Sequence, residues 1–211
     1  MDPALASELS RGCAALGLDL GERAQAGLLD YLGLLHKWNH TYNLTAVRDP
    51  AQMVTRHLLD SLAVAPHLDG SRVLDVGTGA GLPGVPLALA CPGRELHLLD
   101  SNGKKARFLF QVKTALRLDN MVVHRARVEA FAPEAPFDAI LSRAFASLGE
   151  MFEHCRPLLA PGGRMLAMKG ARPDDELRAL DGKGVDLTVN ALSVPGLAEQ
   201  RHLVNIRIRE D

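Results

Sequence analysis

Seven short apolar runs follow Gly70, and their spacing restricts the fold more than any other feature of the chain. In order they are SRVLDV, RELHLLD, NMVVHR, FDAILS, GRMLAMK, VDLTVNAL and RHLVNIRIR. Each has the length of a β-strand, and the early ones are separated by segments with helical patterning. Strands that alternate with helices pair in parallel through crossover connections, so the pattern predicts an α/β, doubly wound, mostly parallel sheet. The last two runs are close enough in sequence to pair antiparallel at its edge. Between the second and third runs, Phe108, Leu109, Val112, Ala115 and Leu116 fall on one face of a helix, with Lys104, Arg107 and Gln111 on another.

Before Gly70 the texture is helical. Leu28, Leu32 and Leu35, with Trp38 a turn later, recur at helical spacing over residues 22–38, and a second helical stretch is expected over 52–64. The expected organisation is therefore a helical extension, residues 1–70, packed on a Rossmann-like domain, residues 71–211. A chain of 211 residues suits one large domain with a small addition, since domains run to about 100–200 residues.

Composition excludes several classes. A hydrophobic content of 47% is that of a folded protein, and no apolar run approaches the roughly 20 residues a membrane span needs. The start MDPALASELSRG lacks a basic segment followed by an apolar core, so no secretion signal is read and a cytoplasmic protein is expected. Cys13, Cys91 and Cys155 are odd in number and far apart, which suits small core residues in a reducing compartment and neither disulfides nor zinc. The net charge of -1 gives no global attraction to nucleic acid, so any such contact must come from a local basic patch.

The stretch VLDVGTGAGLPG, residues 73–84, runs from the first strand into a glycine loop and then a helix expected over 83–90. Such a loop can aim backbone amides and a helix N-terminus into the crevice at the carboxyl edge of the sheet, and Gly77, Gly79 and Gly81 permit close approach. The plain alternative is a tight turn with no ligand. Against it, Asp100 ends the next strand near the ~20-residue offset at which a carboxylate takes ribose hydroxyls. No Gly-Lys-Ser/Thr follows the loop, which argues against a triphosphate P-loop. Asp75, two residues before Gly77, is awkward beside a pyrophosphate but suits a ligand carrying an ammonium and a sulfonium. That charge argument favours S-adenosylmethionine over a dinucleotide.

VLDVGTGAG resembles the first motif of Rossmann-like S-adenosylmethionine-dependent methyltransferases, with Asp100 in the position of their ribose-binding acid. Over a longer span, WNHTYNLTAV, HLLDSL, VLDVGTGAGLPGVPLA, LLDSNGKKARFL, RARVEAF, FDAILSRAFASL and MLAMKG resemble, in that order, the bacterial 16S rRNA small-subunit methyltransferase G family, also called glucose-inhibited division protein B. The resemblance covers about residues 35–170, with a weaker echo in RHLVNIRI. Its most specific parts are the LPG tail of the loop, the SRA after the fourth strand and the WN…NLT segment. Thr78 stands where the family often has serine, Gly103 where a larger residue is commoner, and the chain is rather short for the family.

The resemblance implies transfer of a methyl group to N7 of a guanosine in the helix-18 loop of 16S rRNA, as naked RNA or in the small ribosomal subunit. It implies that Gly77 and Leu82 line the methionine and adenosine portions of the cofactor, that Val128 and Glu129 flank the adenine, and that Arg143 closes the pocket. The chemistry fits an absence. Guanine N7 carries an exposed lone pair and can attack a sulfonium methyl without first losing a proton, so no general base and no catalytic side chain are expected. The chain has Leu141-Ser142-Arg143-Ala144 where amine-directed nucleic-acid methyltransferases resemble one another in an Asn/Asp-Pro-Pro-aromatic turn. Arg143 bidentate to O6 and N7 would block the nucleophile, so it is expected on the cofactor or a phosphate.

Lys104, Lys105, Arg125, Arg127, Lys169 and Arg172, with Arg143, follow the ends of strands two to five and are expected to gather on an RNA-facing rim; an ordinary solvated surface is the plain alternative. His36 and His40 have i, i+4 spacing but no third ligand, so no metal is expected. His57 and Asp60 are one turn apart and read as a local hydrogen bond. Trp38, Asn39, Asn43 and Thr45 read first as packing and capping residues, and second as RNA contacts. The overall expectation is a monomeric rRNA guanine-N7 methyltransferase. A small-molecule methyltransferase on the same fold and an NAD-binding oxidoreductase are the competing readings.

Overall fold

The computed structural model describes residues 2–143 and 145–209. Ala144, the last residue of the SRA triplet, lies outside the described residues.

All seven apolar runs form strands. These are β1 (Arg72–Val76), β2 (Glu95–Leu99), β3 (Met121–His124), β4 (Phe137–Ser142), β5 (Leu159–Lys169), β6 (Val185–Leu192) and β7 (Arg201–Ile208), in one sheet of order β3-β2-β1-β4-β5-β7-β6. β1 to β5 are mutually parallel. The last two runs do pair antiparallel, but β7 inserts between β5 and β6. Only β7 therefore opposes the parallel strands, and β6 at the edge points the same way as β1. Four of the five residues in each of β1 and β2 are buried, as expected of strands covered on both faces.

The strand order reverses at β1, whose neighbours are β2 and β4. In register, Val76 pairs with both Leu99 and Ser142. The residues that follow, Gly77, Asp100 and Arg143, thus leave the sheet side by side at the switch point where open α/β sheets bind ligands.

Helices α1 (Pro3–Ala15) and α2 (Glu22–Tyr42) precede a composite segment: α3 (Pro50–Met53), a π-helical turn (Val54–Leu59) and α4 (Asp60–Leu62). The stretch expected as one helix over 52–64 is thus widened in its middle. α5 (Gly84–Ala90) and α6 (Gly103–Leu116) follow β1 and β2, α7 (Leu148–Cys155) follows β4, and α8 (Asp174–Arg178) follows β5. Leu28, Tyr31 and Leu35 of α2 share one apolar cluster with Val73, Leu96 and Phe108. A second cluster joins Leu74, Ile140 and Met165 to Phe152 of α7. On α6, Phe108, Leu109 and Val112 are buried, whereas Ala115 is exposed because it opens onto a groove bordered by Gly27 and Leu89. Cys13 and Cys155 are buried thiols; Cys91 is only half-buried, since it caps the end of α5 rather than facing the core. No helix among the described residues is long and apolar enough to cross a membrane.

Candidate functional site

The glycine loop is held from inside. The amides of Gly77 and Thr78 donate to the carbonyl of Leu99 at 2.8 and 3.2 Å, those of Gly81 and Leu82 to that of Thr78 at 2.9 Å each, and that of Val85 to that of Gly81 at 2.7 Å. The amides of Gly79 and Gly84 go to the carboxylates of Asp100 and Asp75 at 2.9 and 2.8 Å. This corrects the expectation that the loop aims its amides into the crevice: most are already used, so it is a poor cradle for a pyrophosphate. Gly81 has φ 95°, and a Cβ there would stand 2.5 Å from Val85 Cγ2 and 2.8 Å from Leu109 Cδ2. It is a packing glycine that seats the loop on α6, not a lining residue. Gly79, with φ 62°, has nothing nearer than 3.9 Å and faces open space.

Asp75 is fully buried at the end of β1. Its Oδ2 accepts from Thr78 Oγ1 at 2.6 Å as well as from Gly84, while Oδ1 is buried without a hydrogen-bond partner. Burial pushes its pKa up from 3.8 to about 6, against the opposing pull of those two hydrogen bonds and of Arg143. Asp100 is also buried, and it accepts from Gly79 N on one oxygen and from Asn102 N, at 2.8 Å, on the other. Lys105 Nζ lies 3.5 Å from it.

Two hollows flank this loop and share Gly77. The first, about 300 Å³, is lined by Gly77, Asp100, Lys105, Arg127, Val128 and Glu129 together with Phe145. The second, about 250 Å³, is lined by Leu44, Thr45, Gly77, Thr78, Gly79, Ala80, Leu82 and Arg143. The structure therefore brings seven of the nine expected cofactor residues to the walls of two adjoining hollows. Asp75 and Gly81 stand behind the wall.

The basic residues are dispersed around this edge. Lys105 and Arg127 line the first hollow. Lys104 and Arg125 are exposed, and the Arg125 guanidinium lies against Gly103, where a Cβ would come within 3.0 Å of Cζ. Gly103 thus makes room for an arginine. Lys169 is held by both oxygens of Glu176 at 2.8 and 3.1 Å, and Arg172 by Asp174 at 2.8 Å.

Several residues differ from their expected roles. His57 and Asp60 do not bond each other. The π-helical turn carries His57 to Thr45 Oγ1 at 2.9 Å, while Asp60 pairs with Arg201 Nε at 2.8 Å and Arg143 Nη1 at 3.4 Å. Trp38 stacks on Tyr42 and leans on Phe108, Asn39 accepts from Thr45 N at 2.8 Å, and Asn43 ends α2 in the left-handed region, so these three pack and cap. Thr45 also lines the second hollow. His36 and His40 lie edge to face, and no group of three or more potential metal ligands occurs among the described residues. Tyr31, Phe145 and Arg201 escaped the sequence reading. Tyr31 is buried in α2 beside the Leu28, Leu32 and Leu35 pattern without being part of it, and only the RHLVNIRI echo pointed to Arg201.

The family model for rRNA small subunit methyltransferase G matches residues 24–204. A Pseudomonas syringae pv. syringae protein named ribosomal RNA small subunit methyltransferase G is 52% identical over 205 residues, covering 97% of this chain and 96% of that protein. A protein of the same name from Pseudomonas paraeruginosa is 55% identical over 203 residues, covering 96% and 95%. Among solved structures, the glycopeptide N-methyltransferase MtfA complexed with (S)-adenosyl-L-methionine superposes with a TM-score of 0.63 at 14% identity, covering 73% of this chain and 88% of the other. The O-methyltransferase from Bacillus cereus in complex with SAH gives 0.61 at 18% identity, covering 85% and 91%. At these identities the likeness is one of fold, a Rossmann-like methyltransferase sheet.

Proposed function

The chain belongs to the rRNA small subunit methyltransferase G family, and from that premise we propose that it uses S-adenosylmethionine to methylate N7 of a guanosine in the helix-18 loop of 16S rRNA. In this reading it is a cytoplasmic monomer, with residues 1–70 as a helical extension and 71–211 as the methyltransferase domain.

The observation that carries the choice of cofactor is Asp75: a fully buried carboxylate with one unpartnered oxygen, beneath a loop whose amides are mostly spent. That arrangement suits a cationic ligand and disfavours a phosphate. S-adenosylmethionine, when bound, supplies an electrophilic methyl group on a positively charged sulfur. Val128 and Glu129, with Phe145, border the adenine end of the first hollow; Asp100 serves the ribose; Gly77, Gly79 and Leu82 line the methionine side under the field of Asp75. Gly81 acts by seating the loop. Lys104, Lys105, Arg125, Arg127, Lys169 and Arg172 are assigned to the RNA-facing rim.

What this chain does for the reaction is alignment. N7 needs no base, and in-line orientation alone contributes on the order of 7 to 11 kcal/mol. Arg143, on the wall of the second hollow, closes the cofactor pocket in this reading. The test is to incubate the protein with labelled S-adenosylmethionine and small subunits lacking the modification, then cleave the RNA at N7-methylguanosine. A single cleavage in the helix-18 loop is expected; label at another position, or none in RNA, overturns the assignment.

A further inference from the structure

Beyond the second hollow lies a third cavity, of about 390 Å³, lined by Arg56, His57, Asp60, Arg143, Lys169 and Arg201 with Val47, Met168 and Gly170. It is an open hollow bordered by the π-helical turn, the exit of β4, the end of β5 and the start of β7. Arg143 belongs to the walls of both this cavity and the second hollow, so the two adjoin on the acceptor side of the glycine loop. We propose that this cavity holds one phosphate group of the acceptor RNA strand, an inference that rests on the rRNA reading above.

The charge of the lining carries the argument. Four cationic side chains and one carboxylate line the cavity; with Glu199, 2.5 Å from Arg56, and Glu176, 2.8 Å from Lys169, counted as well, one positive charge is left over in a protein whose net charge is -1. The carboxylate, Asp60, has a side chain only 3% exposed and spans the two arginines, Arg201 at 2.8 Å and Arg143 at 3.4 Å. A guanidinium carries five N–H donors, and each of these contacts uses one, which fixes the arginines in place without exhausting them. Asp60 is thus a positioning residue. It ties the helical segment, β4 and β7 into one wall, although its partners lie 83 and 141 residues away.

His57 is the second, independent sign of a ligand. It is 5% exposed; its Nε2 is committed to Thr45 Oγ1 at 2.9 Å, and its Nδ1 is buried with no well-formed hydrogen bond, its one neighbour being the Arg56 backbone. Buried polar atoms are nearly always paired, so spare guanidinium N–H groups beside that imidazole nitrogen point to a missing polar group. A tetrahedral oxyanion accepts from those N–H groups and from Nδ1, which carries the imidazole proton when the Thr45 hydroxyl, itself accepting from Val47 N, donates to Nε2. A nucleobase would need stacking faces, and the apolar lining amounts to Val47 and Met168.

The experiment uses the full-length protein, small subunits lacking the modification, and the variants Arg201→Gln and Lys169→Gln. Arg209→Gln, which removes an exposed cation paired with Asp186 across from the strand end, controls for loss of charge in general. Each variant is melted to show that it folds, titrated with S-adenosylmethionine by calorimetry, and measured for subunit binding over a salt series and for methylation kinetics. One lost phosphate contact lowers the slope of log affinity against log salt by about 0.7 to 0.9. Arg201→Gln and Lys169→Gln are each expected to show that reduced slope, with KM for subunits raised roughly ten- to a hundredfold, and with kcat and cofactor affinity near the parent values. Arg209→Gln is expected to keep the parent slope. If both cavity variants keep the parent slope and KM while the parent methylates rRNA, the phosphate assignment fails alone. If the parent binds the cofactor but methylates no rRNA, the reading beneath it fails too.

Discussion

Tyr31 donates its phenolic proton to the carbonyl of Ala80 at 2.8 Å, joining α2 to the glycine loop across 49 positions of the chain. The ring is fully buried, and burial pushes the pKa of the hydroxyl far up, so it is a permanent donor. The loop's amides bond within the loop and to β1 and β2; this contact instead holds one of its carbonyls from the N-terminal helices. Removing the hydroxyl leaves a buried acceptor unsatisfied, which costs about 1–3 kcal/mol. Tyr31→Phe is therefore expected to lower Tm by several degrees and to weaken S-adenosylmethionine binding, because the loop loses its outer restraint. Differential scanning calorimetry and a cofactor titration check both; unchanged values would show the hydroxyl to be idle.

Two glycines two residues apart, Gly79 and Gly81, should respond differently to the same substitution. At Gly81 an alanine meets Val85 and Leu109 within 2.8 Å and also sits at φ 95°. Strain of about 1–3 kcal/mol and overpacking of about 1–3 kcal/mol add, so Gly81→Ala is expected to lose roughly 2–6 kcal/mol of stability. Gly79→Ala meets open space and bears only the cost of a left-handed alanine, about 1–2 kcal/mol. Urea unfolding of the two variants gives the comparison, and equal losses would refute the assignment of Gly81 as the packing glycine.

The strands were legible because each is an apolar run closed by polar or glycine-rich breaks, and the cofactor edge because strand ends in a parallel sheet fall on one side. Neither property reveals strand order at the edge: the insertion of β7 beside β5 depends on pairing between Lys169 and His202, which no local pattern encodes. The same holds for Asp60. Its neighbour His57 is visible one turn away, but its actual partners Arg143 and Arg201 come from strand ends far along the chain. Side-chain identity likewise could not say that the loop amides point inward, since that follows from where the Leu99 carbonyl and the two carboxylates sit in the folded sheet. Distance in sequence, more than chemical subtlety, separates what was read from what was not.

Asp100 makes two backbone contacts with different oxygens, to Gly79 N at 2.9 Å and Asn102 N at 2.8 Å. An asparagine offers one acceptor and one donor there, so Asp100→Asn sets an NH₂ group against a backbone N–H. The loop or the start of α6 must shift, and the carboxylate proposed to hold the ribose is lost with it. Cofactor affinity is expected to fall roughly ten- to a hundredfold, which corresponds to about 1.4 to 2.8 kcal/mol. Affinity for small subunits, which is proposed to depend on the basic rim, should change little. A calorimetric titration with S-adenosylmethionine beside a subunit-binding assay separates the two; equal losses in both would indicate general unfolding and refute the assigned role.

Asp75 is expected to make cofactor affinity depend on pH. Its folded-state pKa is raised from 3.8 to about 6, mainly by burial, so the folded protein without cofactor binds this proton more tightly than the unfolded chain does. The carboxyl's contribution to stability is therefore fully present below about 3.8 and is lost as pH rises to about 6, after which it is flat. A cationic ligand acts in the opposite sense, because it favours the carboxylate and lowers the pKa. Below about 6, binding must then expel a proton, and affinity for S-adenosylmethionine is expected to rise with pH, by up to roughly tenfold per unit, and to level off above that value. Asp75→Asn keeps an oxygen for Thr78 and Gly84 but cannot titrate. It should bind more weakly at pH 7 and show no rise between pH 5 and 6. Calorimetry in two buffers of different ionisation enthalpy reads the expelled proton directly, and a parent protein that releases none at pH 5.5 would place the cofactor's charge away from Asp75.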